Sequence, residues 1–236
     1  MPSHFVFVDE TGDLGPKGTG YYGYGILEVA AVDYGTIRKL LAEARMKYRL
    51  YRDLEMDLRK QPLTEIFTHL SELASRDVVR CSGLYIDKLR YSGRYLTWSN
   101  VDFTRKSDWA HHLRNYLLRV ALEHHYQPYG VGGRSIDLIL DRAALNVEQH
   151  RNLEDYLANR VPTRAGRPFR LPAMEYLTIS DSRYTGALQI AHILADVVKH
   201  YAKQTIDPNR WAPVGFVRVS AFLGSPPTGY VWQFPG

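Results

Sequence analysis

The sequence predicts an α/β fold, a mixed central sheet flanked by helices. Two observations carry this expectation. Short runs rich in β-branched and aromatic residues recur at Phe5 to Val8, Tyr21 to Ala31, Val78 to Ile86, Ile136 to Leu140 and Ala173 to Ile179, the composition of buried strands. After the first two runs, stretches with apolar residues at helical spacing separate them, and strands alternating with helices define an α/β domain.

The elements follow in order. Phe5 to Val8 runs directly into Asp9 and Glu10, and Thr11-Gly-Asp13 turns the chain. Tyr21 to Ala31 interleaves glycine with tyrosine, which fits a strand packed closely on its neighbour. From Tyr34 to about Tyr51 the residues Ile37, Leu40, Leu41 and Ala44 share a helical face, and Arg38, Lys39, Arg45, Lys47, Arg49 and Arg52 form a basic one. Pro62 stands where a helix tolerates proline, at its first turn, and that helix runs to about Ser75. Val78 to Ile86 alternates like a strand and ends on Asp87. Tyr91 to Asn100 reads as an aromatic loop. A long helix spans about Asp108 to Tyr126, and its adjacent histidine pairs, His111–His112 and His124–His125, lack the one-turn spacing of a metal site.

Ile136 to Leu140 is a second strand that ends on a carboxylate, Asp141. Asp137 shares a face with Asp141 if the strand is regular. Asn146, with Gln149 three residues on, caps a helix that reaches about Arg160. The segment from 160 to 170 holds Arg160, Arg164, Arg167 and Arg170 and no acid, a candidate for phosphate contact in an irregular loop. Ala173 to Ile179 is a further strand. Ala187 to about Tyr201 is a strongly apolar helix that nevertheless carries Gln189, His192 and Asp196. His192 and Asp196 are four residues apart and share a face, so they either bond to each other or both look toward the strand ends. Val214 to Phe222 reads as a last edge strand. We expect one domain over residues 1–223, and a Pro/Gly-rich tail over 224–236 lying across the surface.

The composition bounds the function. The 236 residues are 45% hydrophobic and 23% charged, with a net charge of +5. That mild basicity is compatible with a polyanionic partner. The single cysteine, Cys81, excludes an internal disulfide framework and a cysteine-based zinc site, and suits a reducing cytoplasm. No apolar run reaches the length of a membrane span, and the N-terminus lacks the pattern of a signal peptide.

Acids at the ends of buried strands are the candidate chemistry. A buried carboxylate must be hydrogen-bonded, solvated or neutralised by a cation, and clustered carboxylates raise that demand. If the strand of Asp9 pairs with that of Asp141, the two converge, and a helix across that edge brings in His192 or Asp196. A divalent cation, Mg²⁺ or Mn²⁺, resolves the repulsion and supports phosphodiester hydrolysis. Glu55, Asp57 and Asp87 are further candidate ligands for such a site. A phosphatase of the haloacid dehalogenase type wants Asp-x-Asp, and Thr11 stands at its third position.

Phe7-Val-Asp-Glu-Thr-Gly12 resembles the N-terminal Asp-Glu-Ser-Gly signature of the DUF3800 family. Leu140-Asp141 is similar to that family's central strand ending in aspartate, and Ser182-Arg-Tyr-Thr-Gly-Ala-Leu-Gln-Ile-Ala-His192 to its closing motif. The resemblance implies an RNase H-like fold and metal-dependent nucleic-acid chemistry, often tied to mobile elements or defence. It implies metal ligands at Asp9, Glu10 and Asp141, with Gln189 in support. His192 stands where the closing aspartate is expected, and Asp196, one turn on, is its alternative. That departure also admits a second expectation, a nucleic-acid-binding or interaction module that keeps the fold without cleavage.

Overall fold

The computed structural model describes residues 1–14, 18–48, 62–91, 106–127, 132–141, 147–159, 163–164, 167–168, 171–182, 185–206 and 229–234. Strand β1 (His4–Gly12) and strand β2 (Tyr21–Ala30) form an antiparallel hairpin. Gly12, with φ of 85° and the Tyr21 carbonyl 2.4 Å from where a Cβ would stand, makes the turn that only glycine accommodates. The Asp13 carboxylate accepts the Thr19 amide and Lys88 Nζ reaches it at 3.3 Å, so Asp13 shapes the hairpin. A short 3₁₀ turn leads into helix α1 (Tyr34–Tyr48), and helix α2 (Pro62–Ser75) precedes strand β3 (Val79–Asp87).

Helix α3 (Lys106–Tyr126), strand β4 (Ser135–Asp141) and helix α4 (Val147–Asn159) follow. Thr163–Arg164 and Arg167–Pro168 pair as β5 and β6, a two-stranded ladder where the sequence predicts irregular loop. Strand β7 (Ala173–Ser180), helix α5 (Gly186–Ile206) and strand β8 (Gly229–Phe234) complete the order. The expected strand over 214–222, the cap at Asn146 and the loop over 92–100 lie outside the described residues.

The central sheet has the order β7-β4-β1-β2-β3-β8. Only β2 runs antiparallel to its neighbours; β4 pairs with β1 and β7 in parallel, and β8 pairs with β3 in parallel. This mixed central sheet flanked by helices is the α/β architecture that the sequence predicts. The C-terminal stretch corrects one expectation: Gly229–Phe234 is an edge strand of the sheet and not a tail across its surface. Its Tyr-Val-Trp-Gln-Phe composition is that of a strand, and the surrounding prolines and glycines concealed it.

Alternation along the strands divides the core into two layers. Phe7, Leu27, Val29 and Cys81 face α1, α2 and α5; Val6, Val8, Ile26, Leu84, Leu138 and Leu140 face α3 and α4. On the first face α5 lies almost against the β2 backbone. A Cβ on Gly25 would stand 2.2 Å from the Ala195 amide nitrogen and 2.6 Å from the Ala191 carbonyl, and one on Gly83 would stand 2.2 Å from Val198. The glycines of β2 and β3 are therefore the seat of α5, and they fix which of its turns overlies the end of β1.

On the second face, near the start of β1, a buried polar network closes the α3 layer. His125, fully buried, places Nδ1 2.7 Å from Ser82 Oγ and Nε2 3.1 Å from Glu28 Oε2. Tyr126 donates to the other Glu28 oxygen at 3.2 Å, and Arg80 and Arg134 stand within 3.9 Å of the carboxylate. Burial alone would raise the Glu28 carboxyl, but the hydrogen bond and charge of His125, with His4 and Arg80, outweigh it and hold the pKa down at about 2.

Candidate metal centre

The sheet register brings the two aspartate-terminated strands together. β1 and β4 pair in parallel from His4↔Ile136 to Val8↔Leu140, so the next residue on each strand is a carboxylate, Asp9 and Asp141. Adjacent in-register residues of parallel strands point to one face, here the face covered by α5. In open α/β sheets this crevice beyond the carboxyl ends of the strands is where ligands bind.

From α5, His192 reaches down to the same point. Its Nδ1 lies 2.6 Å from Asp9 Oδ2. Asp9, Asp141 and His192 each offer one ligand atom, and these atoms all lie within 4.8 Å of one another. Among the described residues this is the group of acids and histidines compact enough to hold an ion. The Asp9 side chain is 11% exposed and that of His192 is 38% exposed, so the cluster opens on one side.

Each carboxylate is held in place. The Glu10 amide donates to Asp9 Oδ1 at 2.7 Å. The Ser182 amide donates to Asp141 Oδ1 at 2.9 Å. Gln189, 3% exposed, supports that second contact from behind: its Nε2 donates to the Ser182 carbonyl at 2.8 Å, and its Oε1 accepts Arg45 Nη2 at 3.0 Å. Gln189 thus clamps the turn that orients Asp141.

The chain is similar to two archaeal ribonuclease structures. It aligns with ribonuclease H2 from Pyrococcus horikoshii OT3 at 11% identity and a TM-score of 0.48, covering 87% of this chain and 76% of that one. It aligns with a chain of the PCNA:RNase HII complex from Archaeoglobus fulgidus at 12% identity and a TM-score of 0.44, covering 96% and 93%. No family model and no curated protein matches the chain.

The remaining expected site residues separate. Glu10 does not join the cluster, because successive residues of a strand face opposite sides of the sheet. Its carboxylate pairs with the Arg114 guanidinium of α3, in the layer that also holds Tyr22 and Tyr24. Asp196 lies one turn beyond His192 and forms an ion pair with Lys199 at 2.6 Å, outside the cluster. Asp87 is buried at the end of β3, where it accepts the Leu89 amide at 3.0 Å and faces Arg90 at 3.4 Å, again outside it. Asp137 is set back along β4; burial, and then the charge of Glu175, raise its carboxyl. Arg160, Arg170, Glu55 and Asp57 lie outside the described residues, as do the side chains of Arg164 and Arg167.

Arg114 and Arg45 are the site neighbours that the sequence does not single out for these roles. Arg114 lies 104 residues from Glu10 and Arg45 lies 144 from Gln189. No local pattern encodes pairings over such separations.

Proposed function

We propose that this chain is a divalent-metal-dependent nuclease, or a related phosphoryl-transfer enzyme, acting on nucleic acid, and that it belongs with the DUF3800 proteins linked to mobile elements or defence. The observation that carries the reading is the convergence of Asp9, Asp141 and His192 at the ends of adjacent parallel strands. Two rigid carboxylates and an imidazole fit a small divalent cation. Carboxylate oxygens suit Mg²⁺ and Mn²⁺ alike, whereas an imidazole nitrogen favours the transition metal, so the donor set fits Mn²⁺ better than Mg²⁺. Such an ion, when bound, lowers the pKa of a coordinated water and stabilises charge on a phosphoryl oxygen.

The chain's own residues do the rest. Asp9 and Asp141 are the anchoring ligands, fixed by the Glu10 and Ser182 amides. His192 supplies the third donor from a separate element, so docking of α5 on Gly25 completes the site. In the tautomer that donates Nδ1–H to Asp9, Nε2 would be its ligand atom, in the manner of a carboxylate-oriented metal histidine. The arginines at 160, 164, 167 and 170 are the proposed backbone contacts of the substrate strand.

One observation favours a second reading, a nucleic-acid-binding module without cleavage. Both Asp9 oxygens already have partners within the chain, the Glu10 amide and His192. Cleavage assays on DNA, RNA and hybrid oligonucleotides in Mn²⁺ and in Mg²⁺ separate the two. The nuclease reading requires cleavage by the wild type that is lost in Asp9→Asn and Asp141→Asn; cleavage retained by either variant overturns it. Binding to nucleic acid without any cleavage supports the module.

A further inference from the structure

The basic face of α1 divides into two kinds of cation. Lys39 pairs with Glu43 at 3.8 Å and Lys47 with Glu65 at 2.8 Å. Among the described residues, no carboxylate lies within ion-pair distance of Arg38 or Arg45. These two arginines are seven residues apart, so they project from one side of the helix two turns apart. Between them opens a cavity of about 400 Å³, which α1 shares with the start of α5. Tyr34, Arg38 and Arg45 line it from one side and Thr185 and Gly186 from the other; among the described residues no acid contributes to its wall.

Arg45 is held in this cavity at a cost. Gln189 fixes one end of its guanidinium, while its Nε is shielded from solvent and makes no hydrogen bond. A buried donor left unmade is destabilising, and packing alone gives no reason to retain it. The opening of α5, a 21-residue helix, adds the positive end of its dipole to the same wall. Gly186 keeps the mouth clear: a Cβ there would stand 2.9 Å from Leu41 and 3.8 Å from Arg45 Nη2.

The cavity is also tied to the metal centre. Arg45 bonds Gln189, Gln189 bonds the Ser182 carbonyl, and the Ser182 amide bonds Asp141. Along α5, Gly186 and His192 are six residues apart, on the order of 9 Å at 1.5 Å per residue.

We propose that this cleft is a phosphate subsite. It holds a backbone phosphate of the nucleic-acid strand close to the phosphodiester at Asp9, Asp141 and His192, with Arg38 and Arg45 as its cationic contacts. The proposal rests on the nucleic-acid reading of the neighbouring site and names where that site grips its substrate.

The test is fluorescence anisotropy without divalent metal, using labelled single-stranded and duplex oligonucleotides from 50 to 200 mM salt. Arg38→Gln removes an exposed side chain and leaves the core intact. It should weaken binding about 3- to 10-fold and reduce the slope of log affinity against log salt by about 0.7–0.9, the value of one phosphate contact. Lys39→Gln, on the same helix and already paired with Glu43, should change both by less. Arg38→Lys should recover most of the slope and part of the affinity.

A second arm titrates inorganic phosphate and follows the melting temperature. Phosphate that stabilises the wild type but not Arg38→Gln, and that competes with the oligonucleotide, supports the subsite. Phosphate binding at Arg38 with no change in oligonucleotide binding shows a free-anion site and overturns the proposal. So does an Arg38→Gln variant indistinguishable from Lys39→Gln, or a wild type that binds no oligonucleotide. The Mn²⁺-dependent stabilisation and Asp9-dependent cleavage do not pass through Arg38. They report on the nuclease reading separately, so either idea can fail while the other stands.

Discussion

His192 Nδ1 and Asp9 Oδ2 meet at 2.6 Å across 183 residues of sequence. The contact joins the first strand of the sheet to the last described helix. It exists because α5 is seated on β2 at Gly25, with Ala191, Leu194 and Ala195 pressed against that glycine. Assembly of the site and packing of the core are thus one event.

Gly25→Ala should therefore damage both. The added methyl meets backbone atoms of α5, which cannot yield by rotating a side chain. Overpacking of this kind costs about 1–3 kcal/mol or more, and each kcal/mol lowers the melting temperature of a chain this size by about 2–4 °C. The variant should melt lower and should also lose stabilisation by Mn²⁺. Calorimetry with and without the ion checks both outcomes.

Glu10→Gln separates the two adjacent acids. Glu10 neutralises Arg114, whose side chain is 5% exposed, on the face away from the metal centre. Removing one partner of a buried pair strands the other charge, and the loss should be about 3 kcal/mol, the low end for such pairs, because the Glu10 side chain is itself 32% exposed. Stabilisation by Mn²⁺ should persist. Denaturant unfolding gives the first quantity, and the ion-dependent melting shift gives the second.

Acid should act on the opposite end of the sheet through Glu28. Its folded-state pKa, about 2, lies below its ordinary value of 4.5. A depressed carboxylate contributes stability that is fully present above pH 4.5 and is lost as pH falls from 4.5 toward 2. That depression corresponds to a contribution of order 3 kcal/mol. Glu28→Gln should be less stable than wild type at pH 7 and should show a flatter stability profile between pH 4.5 and 2. Urea unfolding across that range measures it.

Much of this arrangement is legible in the sequence, for reasons that are local. Phe5 to Val8 and Ile136 to Leu140 announce their strands by composition, and the acids that follow mark the strand ends. The helix of His192 is plain from its apolar spacing. What is not legible depends on how elements cross. Asp9 and Glu10 look like a pair in sequence, but strand alternation sends them to opposite layers. His192 and Asp196 share a helical face, yet the seating of α5 on Gly25 brings only His192 to Asp9 and leaves Asp196 to Lys199. The clamp of Arg45 and Gln189 on the Ser182 turn joins three separate elements, and no spacing within any one of them foretells it.

Asp9, Asp141 and His192 should together hold a divalent cation. The most direct measurement is the thermal melt of wild type and Asp9→Asn, each with and without Mn²⁺. A ligand that binds only the native state stabilises it by about 2.7 kcal/mol at a hundredfold excess over its Kd, about 5–10 °C here. The wild type should show such a rise and Asp9→Asn none. An equal rise in both, or none in either, contradicts that expectation.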